Sequence, residues 1–491
     1  MSYNELKSGT DIRGVASDKG GSKVNLTDAA VKDITAAFVL WLSDKTGKKP
    51  SELKVAIGHD SRITASTIKA AALSELVIAG VHISDCGLAS TPAMFMTTID
   101  LDCDASIQIT ASHHPFDRNG LKFFTKDGGL DSCDIAAIVD IANEGKRAEI
   151  ADGVIVKTDY MTTYAKRLRD MICEGLGKTE SDKPLQNYHI IVDAGNGAGG
   201  FYANNVLAPL GADISGSQFL EPDGMFPNHI PNPENKQAME SICSAVVASG
   251  ADLGIIFDTD VDRAGCVDSS GKEINRNRLV ALASYIAVQG NEGATIVTDS
   301  VTSDGLKIYI EKDLGGKHYR FKRGYKNVIN KAIELCNEGI NCPLAIETSG
   351  HAALRENYFL DDGAYLATKI VIELARGNKF EEILSTLKMP AEEKEIRLNI
   401  KAQDFRSYGL NVIDELEKLA LSKKECVIAD DNREGIRITT PYGWMLLRLS
   451  VHDPVMPLNF ESDEIGGTNK NVEFFREFFN QFSELDLSTY C

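Results

Sequence analysis

The stretch DLGIIFDTDVDR, residues 252–263, decides how this chain is read. Its first half is an apolar, partly β-branched run, short enough for one buried strand. Its second half is an acidic turn. The same join of apolar run and polar or glycine-containing turn recurs in KVAIGHDSR from Lys54, HIIVDAGNG from His189, ATIVTDSV from Ala294 and PLAIETSGH from Pro343. Between these runs lie segments with apolar residues at helical spacing, at 67–79, 159–172, 236–248, 278–287, 325–335 and 364–374. Strands alternating with helices predict α/β layers with mainly parallel or mixed sheets. In such sheets ligands bind beyond the carboxyl ends of the strands, and that is where Asp, Glu, Ser and His cluster here.

Domain boundaries follow from changes of character along the 491 residues, a length suited to three or four domains. Residues 142–157 read as charged and strand-poor, ahead of a helical segment. Residues 388–395 (KMPAEEKE) read as a Pro-containing charged linker. Beyond it EIRLNI, ECVIAD, GIRITTP and WMLLRLS are strand-like runs around one helix at 411–421, which predicts a smaller α+β C-terminal domain. The divisions expected are 1–157, 158–272, 273–389 and 390–491.

Composition excludes several classes of protein. With 43% apolar and 25% charged residues the chain is neither disordered nor fibrous. Fifty-two Lys and Arg against 71 Asp and Glu leave a net charge of −19, which repels nucleic acid and anionic membrane. Any phosphate must therefore be held by a local basic pocket. Ten cysteines without a CxxC pair read as free thiols in a reducing compartment. With no apolar leader and no run of 18 apolar residues, the expected location is the cytoplasm, with no membrane partner.

Four motifs carry chemistry. Asp258, Asp260 and Asp262 alternate in one turn and can converge on a hard cation such as Mg²⁺ or Ca²⁺, with Arg263 adding a fixed positive charge. An EF-hand is excluded, because its glycine would fall at Arg263 and its bidentate Glu at Ser269. TASHHP (110–115) offers Ser112 as a nucleophile, with Lys122 near enough in sequence to be a base or phosphate ligand. ETSGH (347–351) sets Glu and Ser beside a Gly turn, suited to sugar hydroxyls or to a helix cap. Arg448 and Ser450, two apart on an alternating strand, would aim at one face where a phosphate could dock. A formal GxGxxG at Gly195, Gly197 and Gly200 is read as a tight strand-to-helix turn and not as a dinucleotide site.

Taken together and in this order, the motifs resemble the α-D-phosphohexomutase superfamily of phosphoglucomutases, phosphomannomutases and phosphoglucosamine mutases. GTDIRG (9–14) resembles the family's GTDGIRG, and GHDSR (58–62) its GxDxR turn. TASHHP resembles the phosphoserine loop TASHNP, DTDVDR the metal loop DGDGDR, GYK (324–326) the GxK turn, and ETSGH the sugar-binding GEESGH. The resemblance implies three α/β domains with mixed sheets and a smaller C-terminal α+β domain around a central cleft. It implies an intramolecular phosphotransferase, a phosphorylated Ser112, and Mg²⁺ on Asp258, Asp260, Asp262 and a phosphoserine oxygen. Lys122, Arg13, Arg263 and His113 would serve catalysis, while Glu347, Ser349, His351, Lys326, Arg448, Ser450 and His452 would bind substrate. The activity implied is exchange of hexose 1-phosphate and hexose 6-phosphate, of glucose or mannose, through a hexose 1,6-bisphosphate, in a monomer or homodimer. Where the family's phosphate loop reads R-x-S-[GN]-T-[ET]-P, this chain has Val451, His452 and Asp453 after Ser450. Early loss of the bisphosphate would make the enzyme a hexose 1,6-bisphosphate synthase instead. A silent sugar-phosphate sensor is disfavoured, since pure binding needs no nucleophile.

Overall fold

A computed structural model describes residues 2–450 and 453–490, so Val451 and His452, a proposed phosphate ligand, lie outside the described residues. The chain packs as two compact units, residues 1–279 with 349–383, and residues 280–348 with 384–491. The architecture is α/β, as the alternation of runs and helices predicts. The free thiols expected from composition are found at all nine cysteines among the described residues. No described helix is long and apolar enough to cross a membrane.

The first unit opens with a mixed sheet. Its strands lie in the order Lys7–Ser8, Asp11–Val15, Arg118–Thr125, Ala105–Ile109, Lys54–His59, His82–Leu88 and Val154–Lys157. Lys54–His59 pairs parallel with both of its neighbours, whereas Arg118–Thr125 runs antiparallel to Ala105–Ile109 and Asp11–Val15. Every residue of Ala105–Ile109 is buried, polar Ser106 and Gln108 included, and Gln108 donates its side-chain amide to the Ala89 carbonyl at 2.8 Å. Helices Asp28–Thr46, Ala65–Ile78 and Ser132–Asn143 cover this sheet, and Phe38 stacks on Phe123 with ring centres 4.5 Å apart. Thr27 caps the first of these helices, accepting from the Ala30 amide, and Gly47 ends it in the left-handed region. The strand Val154–Lys157 corrects the reading of 142–157 as strand-poor. All four of its residues are exposed at the sheet edge, and its β-branched run Val154-Ile155-Val156 is only three residues long after a charged stretch.

A second sheet in this unit orders Glu273–Ile274, Ala264–Asp268, Leu253–Phe257 and Ile190–Asp193. Leu253–Phe257 pairs parallel with Ile190–Asp193 and antiparallel with Ala264–Asp268, so residues 258–263 form the tip of a hairpin. The hairpin Ala352–Leu354 with Leu360–Asp361 leads into helix Gly363–Ala375.

In the second unit Thr295–Asp299 lies parallel to Lys317–Phe321 and to Leu344–Ile346. A separate antiparallel sheet follows the order Val427–Ile428, Ile436–Thr440, Gly443–Leu447, Val455–Ser462, Glu392–Ile400 and Leu485–Asp486. Two helices pack on it, Phe405–Ser422 and Gly467–Phe479, one more than the sequence reading expects. The second buries Val472, Phe475, Phe478 and Phe479 at helical spacing. The reading of 388–395 as linker is also corrected, because the strand Glu392–Ile400 takes its second half. Its first four residues are all charged and none is buried, which masked the strand's start, while EIRLNI was read as strand-like.

Candidate active site

Ser112 sits in the loop after strand Ala105–Ile109, nearly buried, with φ +50° in the left-handed region that a non-glycine residue rarely adopts. Its amide donates to Thr110 Oγ1 at 2.8 Å. The buried guanidinium of Arg62 fixes the loop's path. It donates to the carbonyls of Pro115 at 2.7 Å, Arg118 at 2.8 Å and His114 at 2.6 Å, and also to that of Ser112. Asp60 lies 3.4 Å from Arg62 Nε and neutralises it. The Ser112 hydroxyl donates to Asp258 Oδ2 at 3.0 Å and accepts from Arg263 Nη2 at 3.2 Å. A hydroxyl held between a carboxylate and a guanidinium is polarised at both ends.

The hairpin tip 258–263 brings Asp258, Asp260 and Asp262 together, with one ligand oxygen of each within 4.8 Å of the others. All three are buried. Thr91 binds Asp260 twice, its amide donating to the Asp260 carbonyl at 2.8 Å and its hydroxyl to Oδ2. Lys122 Nζ lies 2.5 Å from Asp262 Oδ2 and 3.5 Å from Asp260 Oδ2. Among the described residues, Asp260 Oδ1 and Asp262 Oδ1 are buried with no hydrogen-bond partner. Buried oxygens left in that state fit a hard cation that takes oxygen ligands, so the donor set suits Mg²⁺. The electrostatics agree: burial, with Asp262 beside it, pushes the Asp258 carboxyl well above its ordinary range. Burial also works against Asp262, yet Lys122, His351 and Arg263 hold it ionised far below that range. Val261 inside this tip has φ +67°, where a β-branched residue is strained.

Close backbone packing sets the tip in place. A Cβ on Gly197 would strike the backbone of Thr259, and one on Gly363 the backbone of Arg263. The glycine-rich turn at 195–200 thus serves approach to the aspartate loop, and the Ala198 amide donates to the Thr259 carbonyl at 2.8 Å.

Arg263 is buried, with Nε 3.1 Å from Asp258 and Nη1 3.7 Å from Glu234. It also donates to His113 Nδ1. Burial and then Arg263 lower His113 to about 2, so its imidazole is neutral and its Nδ1 lone pair faces the guanidinium. His114 stacks on His113, with ring centres 5.1 Å apart. Arg13 crosses the sheet from Gly120 and pairs with Asp11 at 2.8 Å. His351 lies beside the aspartates, its Nδ1 2.6 Å from Asp361 Oδ2 and 3.7 Å from Asp262 Oδ1. Burial opposes its charge, but Asp361 and Asp262 outweigh this and raise it to about 9. Ser349 is buried in the same unit.

The remaining expected ligands belong to the second unit. Glu347 accepts from the amide of Gly324 at 2.6 Å, which joins it to the start of helix Tyr325–Asn337, whose first turn carries Lys326. Thr348 donates its hydroxyl to Asp299 at 2.8 Å. Strand Gly443–Leu447 stops before Arg448 and Ser450, a correction to their placement on it, although their amides continue the pairing to Pro457 and Val455. The proline at 457 and the turn at 453 break the ladder's regularity. Sequence reasoning did not assign roles to Arg62, Thr91 and Asp361. The arginine of GHDSR was the one available signal, since Thr91 and Asp361 stand in no motif.

Comparison with known proteins places this geometry. The phosphoglucomutase/phosphomannomutase alpha/beta/alpha domain models match in order, domain I at residues 5–149, domain II at 163–271 and domain III at 275–389. A phosphomannomutase/phosphoglucomutase of Pseudomonas syringae pv. tomato is 30% identical over 92% of this chain and 90% of its own. A crystal structure of a phosphoglucomutase/phosphomannomutase family protein from Burkholderia thailandensis superposes with a TM-score of 0.81 at 25% identity, covering 98% of each chain. N-acetylphosphoglucosamine mutase of Aspergillus fumigatus, solved with GlcNAc-6P and magnesium, shares the fold alone, with a TM-score of 0.51 at 14% identity over 87% of this chain and 82% of that one.

Proposed function

Since the chain belongs to the phosphoglucomutase/phosphomannomutase family and is an intramolecular phosphotransferase, we propose that it interconverts hexose 1-phosphate and hexose 6-phosphate, of glucose, mannose or both. The observation that carries this reading is the buried Ser112 hydroxyl, held between Asp258 and Arg263 beside three converging aspartates. Phospho-Ser112 gives its phosphoryl group to the free hydroxyl of a hexose phosphate. The bond from Oγ to phosphorus breaks and a bond from the sugar oxygen to phosphorus forms, producing a hexose 1,6-bisphosphate. Arg263 Nη2, already 3.2 Å from Oγ, stabilises the charge that grows on the departing serine oxygen. The Lys122 ammonium assists proton removal by stabilising the charge that grows on the sugar oxygen, the proton ends on Ser112 Oγ, and Arg13 adds positive charge near the Ser112 loop. Return of the other phosphate to Ser112 completes the cycle.

Asp258, Asp260, Asp262 and an oxygen of phospho-Ser112 would hold Mg²⁺, which supplies Lewis-acid polarisation and charge neutralisation when bound. His113 orients Arg263 by accepting from it. We assign sugar and phosphate recognition to Glu347, Ser349, His351, Lys326, Arg448 and Ser450. The corresponding division is a phosphoserine-loop domain at 1–157, a metal-loop domain at 158–272, a sugar-recognition domain at 273–389 and a phosphate-binding domain at 390–491.

The test is ³¹P NMR of the full chain with Mg²⁺ and a panel of hexose phosphates, with and without added bisphosphate. Interconversion of 1- and 6-phosphates is expected, and Ser112→Ala should abolish it. Bisphosphate that accumulates without isomerisation would mark a synthase, and near-normal turnover by Ser112→Ala would overturn the role of the serine.

A further inference from the structure

The second unit contains a buried guanidinium that its own surroundings satisfy poorly. Arg448 is only 7% exposed. Its Nη2 is 3.4 Å from Asn459 Oδ1, its Nη1 is 3.8 Å from Glu434 Oε1, and its Nε has no hydrogen-bond partner among the described residues. A buried cation with long and incomplete contacts is costly unless an anion completes them. The neighbouring arginines differ. Arg320 lies 2.9 Å from both Asp304 and Asp431, and Arg437 lies 2.9 Å from Asp304. Those two have close carboxylates of their own.

Glu434 is the carboxylate that faces this guanidinium. Its Oε2 accepts from the Ser300 hydroxyl and, at 3.1 Å, from the Arg323 amide, while Oε1 faces Arg448. A hydroxyl, a backbone amide and a guanidinium thus converge on one carboxylate. That is the donor set a phosphate group would use. The backbone delivers the carboxylate there: Gly435, at φ +58°, packs against the Leu447 carbonyl and the Arg448 Cα so closely that no Cβ fits. Ser300 and Glu434 also line a small cavity, together with Arg320, Arg437 and Leu446.

We propose that Glu434 is a resident counter-anion of the phosphate subsite, which the substrate's phosphate must displace from Ser300, Arg323 and Arg448. The inference rests on reading Arg448 as a phosphate ligand. Its physical content is competition: while the carboxylate holds the donors, the binding-competent fraction falls and the apparent phosphate affinity falls with it. The same competition favours release of phosphorylated product. The carboxylate also keeps the empty subsite from leaving Arg448 without any counter-charge.

The test is calorimetric titration of the full chain with inorganic phosphate at fixed ionic strength. Glu434→Gln keeps the shape and removes the charge, so it should bind phosphate roughly tenfold more tightly than the unaltered protein. The gain should vanish in Glu434→Gln with Arg448→Ala, which separates this subsite from phosphate bound near Ser112. Glu434→Asp, which withdraws the carboxylate by one methylene, should gain less than Glu434→Gln and covers the case in which the Gln variant fails to fold. With a hexose 1-phosphate as substrate, KM should fall in Glu434→Gln without a rise in kcat. Equal or weaker phosphate binding by Glu434→Gln, or a gain that survives Arg448→Ala, would overturn the proposal. If Gln cannot be measured, unchanged or weaker binding by Glu434→Asp would do the same. Because phosphate binding is read without turnover, an unaltered protein lacking mutase activity would sink the functional reading and leave this comparison intact.

Discussion

Ser112 is polarised by neighbours that come from elsewhere in the chain, and so the residue scale is where the chemistry is decided. Its hydroxyl meets Asp258 and Arg263, 146 and 151 positions away. Arg62 holds the loop's carbonyls with both terminal nitrogens. Lysine at this position keeps the charge but loses the planar fork that reaches four acceptors. Arg62→Lys should therefore cost about 3 kcal/mol in urea unfolding and should lower kcat as Ser112 loses its place. A variant with unchanged urea midpoint and activity would show that the fork is dispensable. Intact mass gives a second check at this scale. Protein treated with hexose 1,6-bisphosphate should gain the mass of one phosphoryl group, and Ser112→Ala should gain none. Val261 is a departure at the same scale. It stands in a left-handed position where the resembling family motif has glycine, and its side chain is fully buried.

At the scale of elements, the buried strands were legible in the sequence and the exposed ones were not. Leu253–Phe257 and Ile190–Asp193 are buried throughout and read as apolar β-branched runs. Val154–Lys157 is exposed throughout, and of Glu392–Ile400 only the run from Glu395 was legible, the charged residues 392–394 before it being half-buried or exposed. Val154, Ile155 and Val156 are β-branched, but a run of three beside charged residues is too short a signal, and pairing to a neighbouring strand completes it. The strand Val455–Ser462 carries a carboxylate with a measurable consequence. Glu461 is buried, paired across the sheet with Trp444 and with Glu393. Burial raises its carboxyl from an ordinary 4.5 to about 7, more than Arg437 offsets. Between those two values the folded chain binds more protons than the unfolded chain, so stability should fall as pH rises across that window and level off above it. Glu461→Gln should flatten this slope in urea midpoints measured from pH 5 to 7.5, on the order of the unit-wise linkage energy. An unchanged slope would assign the pH dependence to other groups.

For the whole molecule, several separate cores matter more than any single contact. Distinct apolar clusters lie under the first sheet, beside helix Lys236–Ser249 and beneath the C-terminal sheet. The chain divides into two compact units. Thermal unfolding should therefore depart from a single two-state transition, with a calorimetric enthalpy exceeding the van't Hoff value. Equality of the two would show that all the cores melt together. The net charge of −19 acts at this scale as well. It repels extended polyanions, while buried cations such as Arg62, Arg263 and Arg448 act over a few ångströms, where the bulk field matters little.

By itself the sequence determined the α/β class, the order of the motifs and the identity of Ser112 and its three aspartates. Each of those signals is local: a strand's apolar run, a turn's composition or a spacing of two along one loop. Tertiary structure alone decided that Arg62 would clamp the Ser112 loop, that Thr91 would bind Asp260, and that His351 would stand between Asp361 and Asp262. It also decided that Glu434 would meet Arg448. The physical reason is the same in each case. Charged groups buried together must find partners in space, and those partners lie at sequence separations that carry no periodic signal.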